Sequence, residues 1–471
     1  MPTTETEASI IGSRPDRAAV VHLLVSTAFL VVGGFAWVLM LVAGRFPDIV
    51  GGPLSYGRLR PVAFLLVLIG WLTTALVGGI YYLLPRLTGS RLWREDVAHA
   101  GAGMIALVTL AGAGAIVLGF GDGSEPFGLP LWLDVPLVAI LALPAVVAIR
   151  TVATRVEHHA FISLWYVLGG VVWLPVFVLV GAFPGLGPLG SSLQGSVATW
   201  GLANAWVVGV GTGLGYYALV KSTGKPLASR RLAAAGFWSL MFAAGWAGPL
   251  QLVAGPGPDW LDGVALLLTL ALPVAALATV TNFSLTIDDG WPEVGDRPVV
   301  AAALGGGVLS LIAGLMVATA GFRSAGTTLG FTAFWDGMLT ITLFGAGGLL
   351  VAAWAYQALP PMMGRELLEA PARLHIRLTL WGVVGTGVLL VLAGFAQGFA
   401  WSGGSFTGLF IDAGDGWTAS AGLTGTLSGL AIFTGLVTFA GQLAFALTVY
   451  RTIASGRATS QELIVPVAID E

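Results

Sequence analysis

The segment "YYLLPRLTG" at 81–89 closes a long apolar run with an aromatic pair, a basic turn and a glycine. It returns as "YYALVKSTG" at 216–224 and "YQALPPMMG" at 356–364, so that the starts lie 135 and 140 residues apart. An aromatic followed by a basic turn is a common mark of a membrane interface. Three copies at even spacing mean more: self-similarity at a fixed period signals a repeated structural unit. The copies end the second, sixth and tenth apolar segments, and the chain therefore reads as three units of four helices.

Composition fixes the solvent around those helices. The 471 residues are 56% hydrophobic and only 10% charged, with a mean hydropathy of +0.89, which a water-soluble globule cannot hide. Several runs exceed the roughly 18 to 20 apolar residues needed to cross a bilayer, and the short alternating segments of a β-barrel are missing. The chain reads as an all-α integral membrane protein with spans near 18–44, 60–84, 97–119, 131–153, 159–182, 197–221, 231–254, 261–286, 299–321, 330–358, 375–400 and 422–450. Residues 1–17 and 451–471 are polar tails around one twelve-helix transmembrane domain, 18–450. All of the 21 Lys and Arg except Arg45, Arg58, Arg60 and Arg323 fall on the side of the tails. By the positive-inside rule both termini are cytoplasmic and the chain is a multi-pass protein of the cell membrane.

The net charge of −3 gives no footprint for nucleic acid, and the absence of cysteine excludes disulfides, thiolate metal sites and Cys-ligated clusters. One stretch is built like the rim of a site. In "WAGPLQLVAGPGPDW", 246–260, two tryptophans and a Gly/Pro-rich linker bracket a single polar side chain, Gln251. Glycine and proline at such places let a backbone approach closely and stop a helix.

Twelve spans in three fours, with ordered landmarks, resemble the catalytic subunit I of the heme-copper oxidase superfamily, above all cbb-type cytochrome c oxidases and nitric oxide reductases. The landmarks are "YGRLRP" before span 2, "FWSLMFAAGWAGP" in span 7, "PDW" before span 8, "NFSLT" closing span 8 and "AGFAQGFAW" closing span 11, and the likeness runs from about Gly33 to Trp401. The resemblance implies two hemes and a copper, held by histidines at set places. After "RLRP" it puts a low-spin heme ligand at the position of Ala63. In span 6 a copper ligand corresponds to Asn204, and adjacent histidines after "WAGP" correspond to Leu250 and Gln251. A tyrosine of the cbb-type enzymes corresponds to Ala244. The His-x-His of span 10 corresponds to Met338 and Thr340. All six ligand positions lack histidine, and no cofactor is therefore expected.

The five histidines, His22, His99, His158, His159 and His375, fall near the opposite ends of their spans, some 30 Å from these positions for a helix rising about 1.5 Å per residue. Near the empty positions, Met338 has a thioether that could bind iron, although a core filler is the plainer reading. Asp336 is an intramembrane carboxylate suited to a relay or to pairing with Arg58, Arg60 or Arg323, or else an interfacial group in water. Arg58 and Arg60 either clamp an anion or anchor span 2. Trp206, Trp246, Phe334 and Trp335 border the positions and can fill the space. Three functions follow: a redox-silent accessory subunit of a respiratory complex, an oxidoreductase with unconventional heme ligands, or a transporter or quinone- and lipid-binding protein that uses the vacated cavity. Membrane lipid and other respiratory subunits are the partners implied.

Overall fold

The computed structural model describes residues 14–457 apart from 184–186, 254, 256 and 402–415, so most of both tails and part of the Gly/Pro linker lie outside the described residues. The described residues form an all-helical fold. We label α1 Arg14–Arg45, α2 Tyr56–Thr88, α3 Glu95–Leu118, α4 Leu131–Ala153, α5 Ile162–Ala182, α6 187–223, α7 Arg230–Ala243, α8 Asp259–Ile287, α9 Pro298–Ala320, α10 Ala333–Met363, α11 Glu369–Trp401 and α12 Gly416–Ser455. A short helix, Arg323–Leu329, precedes α10. Ten of these, all but α6, α7 and the short helix, are long and apolar enough to cross a membrane.

Two expected spans differ most from their sequence reading. α6 starts ten residues before the expected 197. α7 stops at Ala243, and the chain then turns through Gly245 and Gly248 into a 3₁₀ turn, Pro249–Leu252, where a continuous span to 254 was expected. Pro249 has no amide hydrogen to continue the helix. A Cβ on Gly248 would meet the backbone of Ser196, so the break also brings two chains into close approach. At the other end, helix begins at Arg14, inside the expected tail, and Asp16 is buried.

The repeat seen in the sequence has a geometric counterpart. α2, α6 and α10 pack against one another at the centre of the bundle. Each contains a π-helical segment, Leu66–Thr73, Leu202–Val210 and Ile341–Gly347, and every residue of these segments is buried. Each ends on a left-handed glycine, Gly89, Gly224 and Gly364, with φ of 63°, 69° and 60°. The glycine amides donate to the carbonyls of Pro85, Val220 and Pro360, which satisfies one of the last orphan acceptors of each helix. In the first two copies even the side-chain cap recurs: Thr88 and Thr223 donate to Leu84 and Leu219 at 2.7 and 2.8 Å.

The aromatic pairs divide their work in the same way. The first member of each pair turns to a flanking helix: Tyr81 lies edge-on to His22 of α1, Tyr216 to Phe283 of α8 and Tyr356 to His375 of α11. The second members, Tyr82, Tyr217 and Gln357, meet between the three central helices. Arg86 caps that meeting point, with its guanidinium 3.7 Å from the Tyr82 ring centroid and bonded to Asp16 at 2.8 and 3.2 Å. We call this the glycine-capped end of the bundle.

Candidate functional site

The positions singled out in the sequence lie toward the opposite end, and the fold distributes them over separate surroundings. Ala63 and Met338 are fully buried, as is Leu250. Thr340 is 2% exposed, and its hydroxyl donates to the Asp336 carbonyl at 2.8 Å, one turn back in its own helix. Asn204 uses its amide in a different way. Its Nδ2 donates to the carbonyl of Ala244 at 3.2 Å, which catches the chain where α7 breaks off. The two residues are thus brought together for a structural purpose that neither sequence position announced.

Gln251, Arg60 and Asp336 do converge. With Glu125, Thr199, Trp37 and Trp335 they line a cavity of about 40 Å³. Arg60 donates to Glu125 at 3.0 Å and to Asp336 at 3.5 Å, and the Tyr56 hydroxyl reaches the second Asp336 oxygen at 3.5 Å. One cation therefore faces two carboxylates. The Arg60 guanidinium is thus engaged in an ion-pair cluster with Glu125 and Asp336. Arg58 points elsewhere: its Nη1 donates to the Val117 carbonyl at 2.9 Å and so ties α2 to the end of α3. Arg323 pairs with Asp259 at 3.6 Å on the surface.

The space between these positions is taken up by rings. Phe344 of α10 lies between Trp71 of α2 and Trp37 of α1, with centroids 5.4 and 5.1 Å away. Trp335 and Trp200 stand edge-on at 5.6 Å. Trp206 donates its indole hydrogen to Thr73 at 2.9 Å, a bond between α6 and α2. Glycines admit these rings, since a Cβ on Gly348 would come within 2.9 Å of Trp71. A second cavity, about 20 Å³, lies beside Asn204 among Thr212, Thr279, Ser310 and Thr342. No cluster of three or more His, Cys, Asp or Glu able to hold a metal occurs among the described residues.

With this geometry in hand, comparison with known proteins decides the family. Residues 17–407 match the model of cytochrome c and quinol oxidase polypeptide I. The chain belongs to that family. Its similarity to individual members is distant: 24% identity over 395 residues with the cytochrome c oxidase subunit 1 homolog of Agrobacterium tumefaciens (strain T37), covering 79% of this chain and 72% of the relative. It is also 24% identical over 438 residues to the cbb3-type cytochrome c oxidase subunit CcoN1 of Stutzerimonas stutzeri, covering 88% and 89% of the two chains. Among solved structures, a heme-copper terminal oxidase dimer superposes with a TM-score of 0.72 at 17% identity, over 92% of this chain and 84% of that one. That likeness concerns the fold.

Sequence reasoning missed three features of this polypeptide I homologue. Glu125 and Tyr56 lie 211 and 280 positions from Asp336, in a loop and at a helix start, and nothing local links them to it. His375 was expected near a span end. It does lie in the first two turns of α11, and it is buried there, 2.8 Å from the Tyr356 hydroxyl, where it lines a cavity that extends to Trp71 and Phe344. The signal for this contact was present in the third repeat, whose first aromatic takes a flanking ring as its partner just as Tyr81 takes His22.

Proposed function

We propose that this polypeptide I homologue is a redox-silent subunit, a twelve-span scaffold that sits in a membrane electron-transfer complex without holding the two hemes and the copper of oxidase chemistry. The observation that carries this reading is the donor set at the six positions matched to metal ligands. Ala63 and Leu250 offer no lone pair, and Asn204 and Gln251 offer only amides, the first already used in a backbone contact. The Thr340 hydroxyl is spent on its own helix. Met338 alone has a soft donor, buried in apolar packing. Copper and heme iron need imidazole, thiolate, thioether or carboxylate donors in sets, and a single thioether does not make one. The residues present do not fit these groups, so no catalytic step is derived through them.

Space supports the same reading. The cavities at these positions, about 40 and 20 Å³, suit one to a few waters, given that a single water needs roughly 10 to 15 Å³, and neither admits a quinone. The interior aromatics fill volume that membrane proteins do not leave empty cheaply. In this reading α6 and α7 complete the twelve spans in three groups of four, the glycine-capped end faces the cytoplasm with both termini, and the ancestry is of the cbb-type and nitric oxide reductase kind. The lipid-facing and end surfaces then carry the function, by contact with other subunits. Mild-detergent isolation of the tagged full chain from its native membrane tests this. We expect co-isolation of cofactor-bearing respiratory subunits in fixed proportion. Recovery as a lone species that reduces oxygen or nitric oxide by itself would overturn the proposal.

A further inference from the structure

α11 and α12 pack along most of their length, and the seam between them is unusually polar for the middle of a membrane protein. Thr386 donates to Thr434 at 2.9 Å in one stretch of it. Toward the glycine-capped end the seam continues through Thr438, Thr379, Gln442 and His375 to Thr448 and Thr452, all of them 6% exposed or less. Thr452 accepts from the Leu368 amide at 3.5 Å, where the seam reaches the loop before α11. Between the His375–Tyr356 pair and the Thr379–Gln442 pair lies a chamber of about 10 Å³, closed on its other side by Trp71 and Phe344.

Thr379 and Gln442 of the chamber wall each carry a buried oxygen, Oγ1 and Oε1, with no hydrogen-bond partner within the protein, and their side chains are only 3% and 4% exposed. An unpaired carbonyl oxygen in an apolar interior bears its full desolvation cost. Gln442 Oε1 is seated against Gly34 of α1, so close that any Cβ there would overlap it. The chamber volume matches one water at the lower limit of roughly 10 to 15 Å³, and a water has two hydrogens to give to two acceptors. An alkyl chain is excluded by size and would leave both oxygens unpaired.

We propose that this chamber is a binding site for one water molecule, which donates to Gln442 Oε1 and bonds Thr379 Oγ1 beside His375. The water ties α11 to α12 at mid-bundle and couples both to α10 through the His375–Tyr356 bond. This site goes beyond the scaffold reading and stands on the packing of α1, α2, α10, α11 and α12.

A map of the full chain in nanodiscs, at a resolution that shows ordered solvent, is the direct test. We expect one compact peak within hydrogen-bonding distance of both oxygens. An empty chamber, or density continuous with a lipid chain, would overturn the proposal. A double-mutant cycle gives an independent reading. Thr379→Val and Gln442→Leu should each lower the thermal midpoint, because each leaves the water one partner short, and the double variant should lose less than the sum of the two. Strict additivity would show that the two groups share no ligand. Thr379→Ser keeps the hydroxyl and should retain the wild-type peak. Its loss in a variant that folds at the wild-type midpoint would count against the site.

Discussion

The two ends of the central trio contrast in how their polar groups are used. At the glycine-capped end the three repeats carry matched left-handed glycine caps and a leading tyrosine that turns to a flanking ring, so the same physical device appears at the same place in each helix, and a buried ion pair closes the end at the first. Toward the other end the residues at corresponding depth have no common device: Ala63 is packed, Asn204 hooks a broken helix, and Met338 fills a core. Symmetry is thus held where three helices must converge and stop. It fades where, on our reading, a shared chemistry once required it.

The comparison can be broken most sharply by cutting one anchor at each end. Trp71→Ala removes the ring that backs Phe344 in the aromatic fill, and we expect a loss of about 3–5 kcal/mol, as for other buried aromatic truncations, read from thermal or denaturant unfolding in detergent. A loss below about 1 kcal/mol would mean that the rings do not close the space. At the capped end, Arg86→Ala removes the cation paired with Asp16, which is 3% exposed, and should cost about 3–5 kcal/mol, while an Arg86→Met, Asp16→Leu double variant should recover much of the loss. Equal losses in the single and double variants would contradict the buried-pair account.

Smaller effects sharpen the picture. Trp206→Phe deletes the indole bond to Thr73 and should cost about 0.6 to 1.7 kcal/mol, the range of interhelical hydrogen bonds in membranes. Met338→Leu conserves volume at a packed site and should cost less than about 1.5 kcal/mol, with no change in visible absorbance. Arg60→Ala, which breaks a half-exposed cluster, should cost about 0 to 1 kcal/mol, most of it lost at high salt. A large, salt-independent effect there would mean that the cluster is a buried functional charge rather than a solvated one.

Which features were legible in the sequence follows from the range of the forces involved. Hydropathy and the repeated turn are local, and they gave the helical class and the three central helices. The stop in α7 was also written locally, in Gly245, Gly248 and Pro249, but apolar content up to Val253 masked it because hydropathy counts side chains and ignores backbone donors. The Arg60 cluster was half legible: Asp336 stood out as a carboxylate in an apolar run, whereas Glu125 looked like an ordinary loop residue until the fold brought it to Arg60. The burial of His375 was not legible because position along a span does not say which way a side chain faces, and the neighbours that bury it come from α10 and α12.

The central claim is that the frame has kept its shape without its metals. An absorption spectrum of the purified chain, oxidised and dithionite-reduced, with iron and copper determined on the same sample, tests it most directly. The account predicts no Soret band and no stoichiometric metal. A Soret band with near-stoichiometric iron would contradict it and would make Met338, the one soft donor among the six positions, the first residue to replace.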